Sequence, residues 1–152
     1  MKLLIFTAFG IGLVASDCLV ARGADDPKAD AVKAELKRFE GTWKFVSMEF
    51  EGKAVPEASF KDARMTCEGD RFTTKSEQPS KGTFAVDPTV KPKTIDISVE
   101  ANGQKFKILG IYELEGDTYK ICSAAPGQPR PTEFAAPKGR VRGIQVMSRV
   151  KP

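Results

Sequence analysis

The stretch TIDISVEANGQKFKILGIYELEGDTYKICS, residues 94–123, decides the fold. Apolar residues recur at every second position through Ile95, Ile97 and Val99, and again at Phe106 and Ile108. That is the period of a strand with one face buried. Asn102-Gly103 and Gly116-Asp117 interrupt the alternation with turn residues, so the stretch reads as strands at 94–99, 105–114 and 118–123 joined by short connections. Toward the N-terminus the same pattern gives strands at 43–50, 64–68, 71–75 and 83–86, ended by Glu51-Gly52, Gly69-Asp70, the Pro79-Ser80 stretch and Asp87-Pro88. One more, 144–150, closes the chain. Eight strands with no helices between them exclude a parallel α/β sheet and leave a barrel or a sandwich. Up-and-down connectivity favours the antiparallel barrel, a mainly β fold in residues 41–152.

One helix precedes the sheet. Asp26 supplies an N-cap, Pro27 the first helical position, Val32, Leu36 and Phe39 an apolar stripe, and Gly41 the stop, which predicts a helix over 27–40 within an N-terminal segment 24–40. Lys28, Lys33, Glu35 and Lys37 are expected in water. Between the last two strands, residues 125–139 carry prolines at 126, 129, 131 and 137 and so form a stiffened loop rather than a central strand. It reads either as a functional loop or as a structural lid crossing the barrel mouth. Inside the barrel, alternation points Phe45, Met65, Phe72, Phe84, Ile95, Ile97, Phe106, Ile108 and Tyr112 inward, with Gly110 expected to mark a bend. The many aromatics predict a largely filled lumen with at most a shallow pocket.

The extreme N-terminus has one lysine followed by an apolar run at 3–14, which is the pattern of a signal peptide and falls short of the ~20 residues that span a bilayer. Ala21 and Gly23 suit cleavage after Gly23, making 1–23 the signal segment; cleavage after Ser16 is the alternative. An exported, periplasmic or extracellular protein without a membrane span follows. Lipid anchoring through Cys18 is disfavoured by Asp17 directly before it. In an oxidising compartment Cys67 and Cys122 either pair as a disulfide or stay as two separately buried thiols. A formal charge of +4 among 152 residues, scattered along the chain, does not suit a nucleic-acid binder.

Gly41-Thr42-Trp43, directly after a short helix, resembles the Gly-x-Trp motif of lipocalins and the wider calycin group. The segments Glu68-Gly69-Asp70, Gly82-Thr83-Phe84, Gly110-Ile111-Tyr112-Glu113-Leu114, Gly116-Asp117-Thr118 and Arg130-Pro131-Thr132-Glu133-Phe134 look like the small lipocalin-like domain abundant in secreted planctomycete proteins. The resemblance implies an up-and-down lipocalin-like barrel and transfers no mechanism. It also implies that Arg149 stacks across Trp43 to close the barrel base; the alternative is a solvated C-terminal charge.

With no histidine in the chain, Ser-His-Asp and Cys-His catalysis, histidine general bases and most zinc sites are excluded. No Walker loop, dinucleotide fingerprint or EF-hand pattern occurs. Asp96, Glu113 and Glu133 are the acids nearest apolar segments, and they read as the wet face of strands. Lys138, Arg140 and Arg142, like Lys105 and Lys107, read as solvated edges or, alternatively, as an anion site. No catalytic residue, cofactor or metal is expected. The expectation is a monomeric binding module for a small apolar or amphipathic ligand, lined by Phe45, Met65, Phe72, Phe84, Phe106, Ile108 and Tyr112. The alternative is a structural or protein-interaction domain of the cell envelope with a filled barrel.

Overall fold

In the computed structural model, which describes residues 26–151, helix α1 (Pro27–Phe39) is followed by nine strands. These are β1 (Gly41–Phe50), β2 (Lys53–Ala54), β3 (Arg64–Glu68), β4 (Arg71–Lys75), β5 (Ser80–Asp87), β6 (Lys93–Ala101), β7 (Gln104–Glu115), β8 (Thr118–Ala124) and β9 (Arg142–Arg149). Every ladder is antiparallel, β3 to β9 pair in sequence order, and β1 pairs with both β3 and β9, so the sheet closes. The eight-stranded up-and-down barrel with one N-terminal helix read from the sequence is the observed fold. β2 is an addition, a two-residue arm folded back on β1 through Phe50 and Lys53. Its two exposed residues carry no alternation to read.

Closure bends β1. Its register against β9 slips between Phe45 and Ser47, so Trp43 and Phe45 face inward below the slip and Met48 stands opposite Gln145 above it. The register through Gly110 is regular, with Ile95 on one side and Ser123 on the other, so β7 carries no bulge there. Glycine is needed there for space, because a Cβ would lie 3.0 Å from the Cys122 carbonyl oxygen and 3.2 Å from Ile95 Cγ2.

α1 lies across the end of the barrel where β1 begins. Asp26 caps it by accepting from the Lys28 backbone N–H at 3.0 Å, and Lys28 Nζ reaches Asp87 on β5 at 2.6 Å. Phe39 is fully buried, with Val32 and Leu36 packed against the same core. Glu35, expected in water, is 5% exposed. It lies three residues after Val32 and four before Phe39, on the buried stripe itself. Arg38 Nη1 and Lys93 Nζ contact its two oxygens at 2.6 and 2.7 Å, and the Tyr112 hydroxyl donates to it at 3.0 Å. Burial pushes this carboxyl up, but the three donors outweigh it and hold it below its ordinary value.

The proline segment is not a lid. Its residues contribute nothing to the lining of the barrel interior; it lies on the outer wall. Arg130 Nη1 donates to the Ile95 and Gly110 carbonyls at 3.0 and 2.7 Å, Arg130 Nη2 contacts Asp96, and Lys120 Nζ stands 4.7 Å from the Phe134 ring centre. An outward row of Ile111, Cys122 and Ile144 runs across three strands beneath it. Ile111, Cys122, Pro131 and Ala136 are all buried, so the loop makes a second, smaller core outside the barrel.

This arrangement decides the cysteines. Cys67 belongs to the inner core, Cys122 lies under the loop with its Sγ 3.7 Å from the Ala135 carbonyl oxygen, and both are free thiols. The barrel wall separates them, so the disulfide reading is corrected to two separately buried thiols. Residues 1–25, on which the expected signal segment and Cys18 fall, lie outside the described residues.

Candidate functional site: the barrel cavity

The helix end of the barrel is closed by aromatic rings. Phe39 packs against Phe84, Tyr112 and Tyr119 with ring centres 5.2, 5.2 and 5.0 Å apart, and Trp43 meets Tyr119 at 5.9 Å. Trp43 is completely buried and donates its indole N–H to the Phe39 carbonyl at 2.8 Å. Arg149 is its register partner on β9, with the guanidinium carbon 4.3 Å from the ring centre. The expected stacking pair is therefore present. The same guanidinium donates to the Arg38 carbonyl at 2.6 Å, contacts the Glu40 carbonyl and pairs with Asp117 at 3.2 Å. Gly41 makes room for it: its φ is +116°, and a Cβ there would stand 2.9 Å from Arg149 Nη1.

Above this floor the lumen is open. A cavity of about 280 Å³ is bounded below by Phe39 and Tyr119, and the expected residues Phe45, Met65, Phe72, Phe84 and Ile108 form its walls together with Ile95 and Ile97. Two expected residues fall elsewhere. Tyr112 belongs to the plug beneath the cavity, its hydroxyl spent on Glu35. Phe106 is 37% exposed at the rim, because β8 pairs with β7 only from Gly110 onward and leaves the start of β7 standing above it. With those two rings withdrawn, the lumen is not filled as expected. Cys67, Thr74, Ser80 and Ser123 add smaller inward side chains, and Val99, Ile121, Gln145 and Met147 complete the lining.

Thr74, Ser80, Ser123 and Gln145 are the polar lining that sequence reasoning missed. The Thr74 and Ser80 hydroxyls lie 2.7 Å apart, and Thr74 Oγ1 also accepts from the Ser80 backbone N–H at 2.8 Å, so this pair is mutually satisfied. Gln145 faces Ile121 and Ser123 faces Gly143, which places the two polar residues diagonally next to each other. Among the described residues neither side chain has a hydrogen-bond partner. Among the described residues no charged side chain lines the cavity. Burial pushes the Cys67 thiol up to about 12 and Tyr119 well above its ordinary value, so both lining groups are neutral at physiological pH.

The other residues singled out in the sequence do not converge on a site. Asp96 is tied on the outer wall to Arg130 and, at 3.3 Å, to Lys107, while Glu113 and Glu133 are exposed. Lys105, Lys138 and Arg140 are exposed and Arg142 is half-buried. Among the described residues no three carboxylate, thiol or imidazole groups cluster with metal-site geometry. No helix there is long and apolar enough to cross a membrane. Comparison of the chain with family models, curated proteins and solved structures gives no match.

Proposed function

We propose that this protein is an exported, lipocalin-like binding module that holds a small apolar or amphipathic molecule inside its barrel. The observation that carries this reading is the cavity. It is concave, lined mainly by aliphatic and aromatic side chains, and sealed at one end by a plug with its own hydrogen bonds. Sites for small ligands have this composition, with a few polar groups fixing orientation. The export part of the reading rests on the apolar run at 3–14 after a single lysine.

Two measurements test it together. Native mass spectrometry of the protein purified from its own compartment should show a retained small molecule, and a neutral fluorescent probe that fits the cavity, such as 1-naphthylamine, should bind saturably at one site. Bare protein mass together with a linear, unsaturable probe response would remove the reading. The envelope-scaffold alternative would then stand.

A further inference from the structure

We propose that the cavity takes an uncharged amphiphile of about ten to twelve non-hydrogen atoms, its apolar end on the aromatic floor and its neutral hydrogen-bonding head at Gln145 and Ser123. This rests on the reading of the cavity as a ligand site and narrows it to a chemical class.

Size sets the first limit. An apolar cavity of roughly 150 Å³ accommodates one benzene ring. At about 280 Å³ the barrel cavity is a little under twice that, enough for a medium chain or two fused rings and too small for a long acyl chain or a sterol.

The lining then fixes which end carries the polar group. Along β8 the inward residues run from Tyr119 at the floor through Ile121 to Ser123, a climb of ~13 Å at ~3.3 Å per residue. Gln145, opposite Ile121, and Ser123 therefore stand above an apolar lower chamber. Thr74 and Ser80 on the far wall already satisfy each other. Gln145 offers both a carbonyl and an amide, and Ser123 a hydroxyl, so a head that donates and accepts, such as an alcohol or an amide, completes them.

Charge supplies the second limit. With no cation or anion among the described residues of the lining, an ionised carboxylate or ammonium brought inside loses its hydration and gains no counter-charge. The walls already hold their own titratable groups, Cys67 and Tyr119, in the neutral form.

Competition against bound 1-naphthylamine, a neutral two-ring probe, tests the class. At pH 8, 1-decanol should displace the probe at a concentration at least about tenfold below that needed for decanoate or decyltrimethylammonium. Decanoate should approach decanol as the pH falls toward 5 and its protonated fraction grows. Gln145→Leu should weaken decanol about three- to tenfold and leave naphthalene, which has no head group, as tight or tighter. Decanoate matching decanol at pH 8, or decanol unaffected by Gln145→Leu, overturns the proposed class while the ligand site stands. If neither naphthalene nor the probe binds saturably, the ligand site itself is lost and this inference with it.

Discussion

Arg149 meets several demands at once at the closed end of the barrel. A helix ends with carbonyls that have no partner within it, and here the last of α1 are taken by Trp43 and by this one guanidinium. Stacking on the indole contributes about 0.5–2 kcal/mol, and the carbonyl contacts add to it. Arg149→Ala should therefore lower stability by roughly 1–3 kcal/mol and shift Trp43 emission to the red as water reaches the ring. An unchanged emission maximum and melting temperature would show that the arginine is only a surface charge. The pair was legible because a resemblance supplied the partner. Glu35 was not, although it lies on the α1 stripe, because a charged residue between apolar ones reads as the helix's wet edge until Lys93 and Tyr112 are brought to it from other strands. Its carboxyl is lowered from an ordinary value of 4.5, so its stabilising contribution is complete above that pH and is lost as pH falls through the folded-state value. Glu35→Gln should cost about 1–3 kcal/mol near pH 7 and flatten the acid limb of the stability profile. An acid limb identical to that of the wild type would mean that other carboxyls govern it.

At the scale of elements, alternation placed β3 and β4 within their true bounds, because each has one wet face and one dry face. It also located β7 and β8, but it named no lumen-facing residue on β8 or β9, where the outer face is also dry. Ile111, Cys122 and Ile144 look outward, yet lie under the segment between β8 and β9. Apolar residues on both sides of a strand erase the period-two signal that says which side is the lumen. For that reason Gln145 gave no sign of its place in the cavity wall. The same geometry predicts thiol behaviour. Cys67 and Cys122 should both titrate with thiol reagents after unfolding, even in protein taken from an oxidising compartment, and a reductant should not move the melting temperature. A native disulfide found by peptide mapping would contradict the fold. Arg130 holds the covering loop to β6 and β7 through two carbonyls and Asp96. Arg130→Ala should loosen the loop and speed maleimide labelling mapped to Cys122, with labelling of Cys67 on the inner face unchanged. Equal rates in wild type and variant would show that the loop is held by its apolar contacts alone.

For the whole molecule, counting aromatic residues misjudged the lumen because the count ignores height along the barrel. Trp43, Tyr112 and Tyr119 are spent in the plug, and Phe50 and Phe106 stand exposed at the rim, 47% and 37% accessible. Between these levels Phe45, Phe72 and Phe84 share the walls with smaller side chains such as Cys67, Thr74, Ser80 and Ser123, and a cavity of about 280 Å³ remains. A cavity of this kind makes a prediction whose sign separates an open lumen from a packed one. Ile108 is half-buried in the cavity wall, opposite Ile97 and two residues before Gly110, the register partner of Ser123. In a packed core Ile108→Phe would force strain and cost about 1–3 kcal/mol. Into an open cavity the larger ring instead brings extra apolar surface out of water at about 25 cal/mol per Å². The ligand-free variant should melt at or above the wild-type temperature and bind 1-naphthylamine at least about tenfold more weakly, since the ring takes the probe's volume. Added ligand should raise the wild-type melting temperature and leave that of the variant nearly unchanged, because stabilisation by mass action requires an affinity the variant has lost. A variant that melts several degrees lower and loses no probe binding would place the probe on the outer surface and the lumen among packed cores.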